Sequence, residues 1–101
     1  MQGETNVLFQ TGMTVQTAGI AAESRENPRF ALYVLSSLNR HQKGDWGDLG
    51  DEDKDLNDQA IKNGDRILSA YLLPTSEGKK KVYIITEHDR SITTVLFASE
   101  Y

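Results

Sequence analysis

The chain contains no cysteine among its 101 residues. This absence excludes disulfide frameworks and thiolate metal sites, and it fits a reducing compartment such as the cytoplasm. No apolar run approaches the roughly 20 residues of a membrane-spanning helix, and no signal peptide is visible. The formal net charge of −4 lacks the basic footprint of a general nucleic-acid binder. We therefore expect a cytoplasmic protein with no direct nucleic-acid or membrane partner.

Motifs that would hold a metal or a phosphate are also lacking. The spacing of Asp51, Asp53 and Asp55 imitates the start of a calcium loop. The sixth position is Leu56, where the sharp turn needs glycine, and the twelfth is Lys62, where the bidentate glutamate belongs. The two histidines are far apart in the sequence, which does not favour zinc. There is no glycine-rich phosphate loop. We predict no metal and no cofactor.

The length and the hydrophobic periodicity predict one α+β domain. Residues 1–11 are predicted to be a flexible N-terminal segment, and residues 12–101 the single domain. Helical patterning fills the N-terminal two-thirds: a short helix after Thr17, a helix from Pro28 to about Gly44, and a helix capped by Asp48 and ended by Gly64. These helices should pack on a C-terminal antiparallel β-meander of about three strands, with an added N-terminal strand as one option. The three strands are predicted at residues 66–73, 81–86 and 91–97.

Two short polar stretches offer candidate catalytic side chains. His41 continues the apolar stripe of Phe30, Val34 and Leu38, so either a core-edge histidine or a site residue fits its position. His41 and Asp45 could meet Glu87 and Arg90 at one end of the sheet. A histidine base, an orienting carboxylate and an anion-holding arginine would suffice for ester or phosphodiester hydrolysis. The alternative for the 87–90 connection is a charged turn whose members pair with one another.

Candidate binding residues surround the acidic segment and the last turn. Glycines on both sides of Trp46 allow a tight loop, and the indole is predicted to close the core. Asp53 and Asn57 lie beside the apolar stripe of the third helix, and Asn57 should find His41, Asp45 and Trp46 as near neighbours. His88 and Asp89 complete the set of candidate binding residues. The other acids of residues 45–58 are typical of a solvated helix face.

Five stretches carry a resemblance to a known family: residues 41–48 (His-x-x-Gly-Asp-Trp-Gly-Asp), 52–58, 64–71, 84–97 (Ile-Ile-Thr-Glu-x-Asp-Arg-Ser-x-Thr-Thr-Val-Leu-Phe) and 100–101. The chain resembles a family of small uncharacterised bacterial proteins that occur in plasmids, phages and integrated elements, some labelled "plasmid-related protein". The resemblance covers about residues 12 to 101. It implies a genomic setting and no catalytic residues, because the family has no established activity.

The leading prediction is a small cytoplasmic protein-binding accessory module of a bacterial mobile genetic element, with a protein partner and a homodimer as a further possibility. The alternatives are a small hydrolase or nuclease-like enzyme that uses His41 and Asp45 with the 87–90 turn, and an acidic DNA mimic that inhibits a DNA-binding enzyme. The enzyme requires a cleft with converging histidine and carboxylates. The binding module requires an exposed apolar patch, and the DNA mimic requires an extended acidic stripe. The sequence does not identify the substrate, partner or oligomeric state.

Overall fold

The computed structural model describes residues 7–101. Helices come first and most strands follow, which confirms the α+β prediction. The elements in chain order are β1 (Met13–Gln16), α1 (Ala18–Glu26), α2 (Pro28–Gln42), α3 (Asp51–Asn63), β2 (Ile67–Thr75), β3 (Gly78–Thr86), β4 (Ile92–Phe97) and a 3₁₀ turn (Ala98–Glu100).

The four strands form one mixed sheet in the order β1-β4-β3-β2. Among the C-terminal strands, β2 pairs antiparallel with β3, and β3 pairs antiparallel with β4. The N-terminal strand β1 lies parallel to β4 at the edge. The sheet as a whole is therefore not a pure antiparallel meander. The parallel pairing is possible because all three helices and two strands separate β1 from β4, which provides the long connection that parallel neighbours need.

Local sequence explains where the first two helices begin. The Thr17 side chain accepts a hydrogen bond from the Ile20 N–H (3.3 Å) and caps α1. Proline occupies the first turn of α2, where its missing N–H costs nothing. Phe30 and Val34 of α2 are buried, as the stripe predicts.

The start of α3 differs from the prediction. The N-cap residue is Gly50, not Asp48. The Asp48 N–H instead donates to the Ala70 carbonyl (2.6 Å), and the Ala70 N–H donates to the Trp46 carbonyl (3.2 Å). Residues 46–48 are therefore held against β2, and the helix begins only after they turn away. Gly64, in the left-handed region, ends the helix as predicted.

The two sheet faces have different surroundings. The inner face meets α1 and α2, and Tyr71, Val82, Ile84 and Val95 form the main core there with Phe30. The outer face carries the alternate positions of the same strands. Its apolar members are Met13, Val15, Leu68, Ala70, Leu72, Tyr83, Ile85, Ile92 and Leu96, and it also carries Pro74, Lys79, Lys81 and Thr94. Tyr101 stacks edge-on against Tyr83, with ring centroids 5.6 Å apart, and covers part of this face.

Candidate functional site

His41 lies at the centre of a buried chain of hydroxyl groups. Its side chain has no exposed surface. Its Nδ1 meets the Ser69 hydroxyl, and its Nε2 lies 2.9 Å from the Thr86 hydroxyl. The Thr86 hydroxyl lies 2.7 Å from that of Thr93, which donates to the Thr11 carbonyl (2.8 Å). This chain connects β2, β3 and β4 beneath the end of α2.

The end of this chain determines the direction of every hydrogen bond in it. A carbonyl oxygen only accepts, so the Thr93 hydroxyl donates to Thr11 and accepts a hydrogen bond from the Thr86 hydroxyl. Thr86 must then accept from His41 Nε2–H, which leaves Nδ1 to accept from Ser69. All these groups are satisfied when His41 is neutral. Burial, and secondarily the Arg90 charge, lowers the pKa of His41 to about 4.

Two aromatic rings close the space over His41. The Phe9 ring meets the imidazole edge-on, with ring centroids 5.1 Å apart, and the centroid of the Trp46 ring lies 6.0 Å from that of the imidazole. The pair of Ser69 and His41 resembles an activated nucleophile and its base. Both side chains are fully buried, so a substrate could reach neither in this conformation. Within the segment predicted to be flexible, residues 1–6 lie outside the described residues, whereas Phe9 is buried.

The proposed catalytic partners of His41 are engaged elsewhere. Asp45 forms an ion pair with Arg40 (2.7 Å), and this hydrogen bond holds the pKa of the Asp45 carboxyl below its usual value. The Arg90 guanidinium donates to the carbonyls of Ala60 (3.0 Å) and Asp65 (2.6 Å). It therefore caps the C-terminus of α3. Phe9 lies beside this guanidinium, whose central carbon is 5.7 Å from the ring centroid.

The rest of the 87–90 connection is exposed or bonded locally. The Glu87 carboxylate lies 3.9 Å from the Arg66 guanidinium. The Asp89 carboxylate accepts from the Ser91 hydroxyl (2.6 Å) and N–H (3.0 Å), which lowers the pKa of Asp89. His88 is exposed. These contacts describe a polar turn whose carboxylates bond to neighbouring groups.

Trp46 and Asn57 cover the edge of β2 that does not pair with β3. The Trp46 ring is buried, and its Nε1–H donates to the Asp58 carboxylate (2.9 Å). The Asn57 amide donates to the Leu68 carbonyl (2.7 Å) and accepts from the Leu68 N–H (3.2 Å). We expected His41, Asp45 and Asn57 to satisfy one another or the loop backbone. Asp45 does accept from the loop N–H of Gly47 (3.3 Å), whereas His41 and Asn57 find their partners on the strands. Asn57 bonds to the backbone of Leu68 at the edge of β2, and His41 bonds to hydroxyl groups on β2 and β3.

An open groove lies where α3 meets the outer face. It encloses about 470 Å³ and is lined by Leu49, Asp53, Leu56, Asn57, Arg66, Leu68 and Tyr83. We call it the outer groove. Two predicted binding residues, Asp53 and Asn57, line it, whereas Trp46, His88 and Asp89 do not.

Sequence reasoning missed five lining residues of this groove: Leu49, Leu56, Arg66, Leu68 and Tyr83. Leu56 belongs, with Leu49 and Ala60, to the apolar stripe of the third helix, yet Leu56 is 58% exposed. Leu68 and Tyr83 alternate with buried inner-face positions. The signal that could have found them is the apolar character of both sheet faces.

The described residues supply no metal-holding cluster: among residues 7–101, no three histidine or carboxylate side chains are placed to hold an ion. In the same range, no helix combines the length and the apolar character needed to cross a membrane. No protein-family model matches the chain, and it matches neither a curated protein nor a solved structure.

Proposed function

We propose that this protein is a protein-binding accessory module of a bacterial mobile genetic element, and that its partner docks at the outer groove. One observation carries the docking site: an open groove whose lining includes three leucines and a tyrosine lies where α3 meets the outer face, and Leu56 in this lining is 58% exposed. Exposed apolar patches of this kind mark interaction surfaces in monomeric folds. The mobile-element setting and the cytoplasmic location rest on the sequence resemblance and the composition.

The groove indicates what its partner should present. Leu49, Leu56, Leu68 and Tyr83 provide an apolar lining, which suits an aliphatic or aromatic anchor side chain. Arg66 is half exposed beside it, so a carboxylate next to the anchor would gain a charged partner. Asn57 contributes shape alone, because its amide is occupied by the Leu68 backbone.

The alternatives have less support in the geometry. The hydrolase alternative needs His41 and Asp45 to meet the 87–90 turn in a cleft. His41 is buried under Phe9 and Trp46, and the Asp45 carboxylate pairs with Arg40 instead. Of the α3 acids that the DNA mimic requires, Asp53 lines the groove, and the others fit equally well as a solvated helix face. An apolar groove with a charged rim favours a protein partner over both alternatives.

The test uses selection from a displayed library of peptides that covers a bacterial host proteome. Enriched peptides are then synthesised and titrated by calorimetry against the wild-type protein and two variants. Leu56→Glu places a charge at the groove, and Leu32→Glu makes the same change on α2, where Leu32 is 64% exposed. Both sites are exposed, so we expect both variants to fold with unchanged stability.

We expect Leu56→Glu to weaken binding at least about tenfold, as for loss of an interface anchor, and Leu32→Glu to leave the Kd unchanged. Selection without enrichment over uncoated resin would contradict the proposal. Equal affinity of the two variants for every enriched peptide would show that the outer groove is not the docking site.

A further inference from the structure

The edge of the sheet formed by β1 has no partner within residues 7–101. Met13 and Thr17 donate their backbone N–H groups towards β4, to Ser91 (2.9 Å) and Val95 (3.1 Å). Because backbone groups alternate in direction along a strand, Thr14 and Gln16 present their N–H and C=O groups to the open side. The described residues place no strand or side chain against these four groups.

This edge also lacks the features that normally prevent strand pairing. Proteins protect an exposed edge with charged side chains, proline or a covering loop. From Val7 to Ala22 the chain contains no charged residue and no proline. All four residues of β1 are exposed, and Met13 is 67% exposed. The four residues of β1 therefore present no charged side chain and no proline to an incoming strand.

A second groove lies beneath this edge on the inner side. It encloses about 460 Å³ and is lined by Thr11, Thr14, Leu35, Ser36, Leu38, Asn39 and Gln42. We call it the edge groove. Its lining is uncharged, with amide and hydroxyl groups beside two leucines. Inward side chains of an added strand would enter this groove, so its occupant should carry neutral polar side chains at those positions.

The sequence of β1 itself meets this requirement. We propose that a second copy of this chain occupies the edge, with its β1 antiparallel to the first about a two-fold axis at Val15. Thr14 then pairs with Gln16 of the second copy, and Gln16 with Thr14 of the second copy, which satisfies all four outward groups on each strand. The neutral Thr14 and Gln16 side chains face the edge grooves, and the sheet becomes eight-stranded.

This dimer is independent of the outer groove, which lies at the opposite edge of the sheet beside β2. Self-association through β1 leaves both outer grooves open. Loss of the dimer therefore leaves peptide binding at the groove intact, and loss of that binding leaves the dimer intact.

The sharpest test is a cysteine cross-link, because the chain has no native cysteine. In the proposed register Val15 faces its own copy at a non-hydrogen-bonded position, where the Cα atoms are about 4.5 Å apart. That distance lies within the range a disulfide spans. Met13→Cys is the matched control on the same strand and face, because the two Met13 residues would be about 13 Å apart. Under mild oxidation we expect Val15→Cys to form a covalent dimer and Met13→Cys to remain largely monomeric.

A second test uses a substitution that prevents strand pairing and needs no cross-link. Thr14→Pro deletes one outward N–H and leaves the bonds to β4 in place, while Thr14→Val keeps the N–H and the branched shape. Light scattering over about 1 μM to about 1 mM protein, the range of weak interfaces, should give a dimer for wild type and Thr14→Val and a monomer for Thr14→Pro.

Three outcomes would overturn the proposal: a wild-type monomer throughout that range, equal cross-linking of Val15→Cys and Met13→Cys, or a dimer that Leu56→Glu disrupts while Val15→Cys fails to cross-link. The last result would place self-association on the outer face. If Thr14→Pro fails to fold, the contrast between the two cysteine variants still decides the matter.

Discussion

The two edges of the sheet are built in opposite ways. At the β2 edge, Asn57 pairs with the Leu68 backbone and residues 46–48 pair with Ala70. Pro74 lies further along the same strand. At the β1 edge, the described residues supply no comparable cap, charge or proline. The fold uses a helix and a loop to close one edge, whereas no described residue closes the other, and this second edge is where we propose self-association.

The largest expected effect is at the closed edge. Trp46→Ala removes a buried ring that stacks on Phe9 with centroids 6.1 Å apart. It should cost roughly 3–5 kcal/mol of unfolding free energy, as for other buried aromatics replaced by alanine. Urea unfolding followed by circular dichroism measures this loss. Trp46→Phe keeps most of the buried surface and should lose less. Near-wild-type stability of Trp46→Ala would show that residues 46–48 do not hold the edge.

The second effect concerns the buried chain of hydroxyl groups between the edges. The pKa of His41 in the folded protein, about 4, lies below the ordinary histidine value of about 6.5. The unfolded chain therefore binds more protons between these values. The stabilisation by neutral His41 is complete above about pH 6.5 and is lost as the pH falls through this window.

Between pH 7 and about pH 4.5, we expect wild type to lose roughly 2–3 kcal/mol more unfolding free energy than His41→Gln. Comparison with this variant removes the contribution of the carboxylates. If His41→Gln shows the same pH dependence as wild type, the imidazole titrates in the fold as it does in the unfolded chain.

Local patterns predicted the helices and the C-terminal strands. The stripe of Phe30 and Val34 and the cap at Thr17 act within one or two turns, so they are visible in the sequence. The N-cap at Asp48 was wrong because its N–H has a partner on β2, 22 residues later. Likewise, the parallel partner of β1 could not be read from a strand of four residues.

The candidate site was predicted less completely for the same reason. His41 continued an apolar stripe, which placed it near the core. Its hydroxyl partners, Ser69 and Thr86, are 28 and 45 residues away in sequence. A signal for them exists, because Ser69 and Thr86 occupy inner-face positions otherwise filled by Ile67, Tyr71 and Ile84. Hydroxyls in an apolar stripe require a buried polar partner, and only pairing across the sheet reveals that it is His41.

Removal of the side-chain cap on β2 should produce a smaller loss. Asn57→Ala leaves the Leu68 N–H and C=O without a protein partner, which should cost about 1–2 kcal/mol. Gln59→Ala on the exposed side of α3 is the control and should change stability by less than about 0.5 kcal/mol. Thermal unfolding compares the two. The Asn57 variant should also show faster hydrogen exchange at the Leu68 amide, and an unchanged rate would contradict its role as a cap.

The smallest expected stability effect is at the open edge. Gln16 is exposed, and its backbone N–H and C=O point away from β4. Gln16→Lys should therefore change the unfolding free energy of the monomer by less than about 0.5 kcal/mol. Lysine is nonetheless a residue that natural edges use against pairing, and a two-fold dimer would bury two of them beside the edge grooves. We expect light scattering to report a monomer at concentrations where wild type is a dimer. If Gln16→Lys lowered the monomer's unfolding free energy as much as Asn57→Ala does, Gln16 would support the fold. The two edges would then differ less than their backbone contacts indicate.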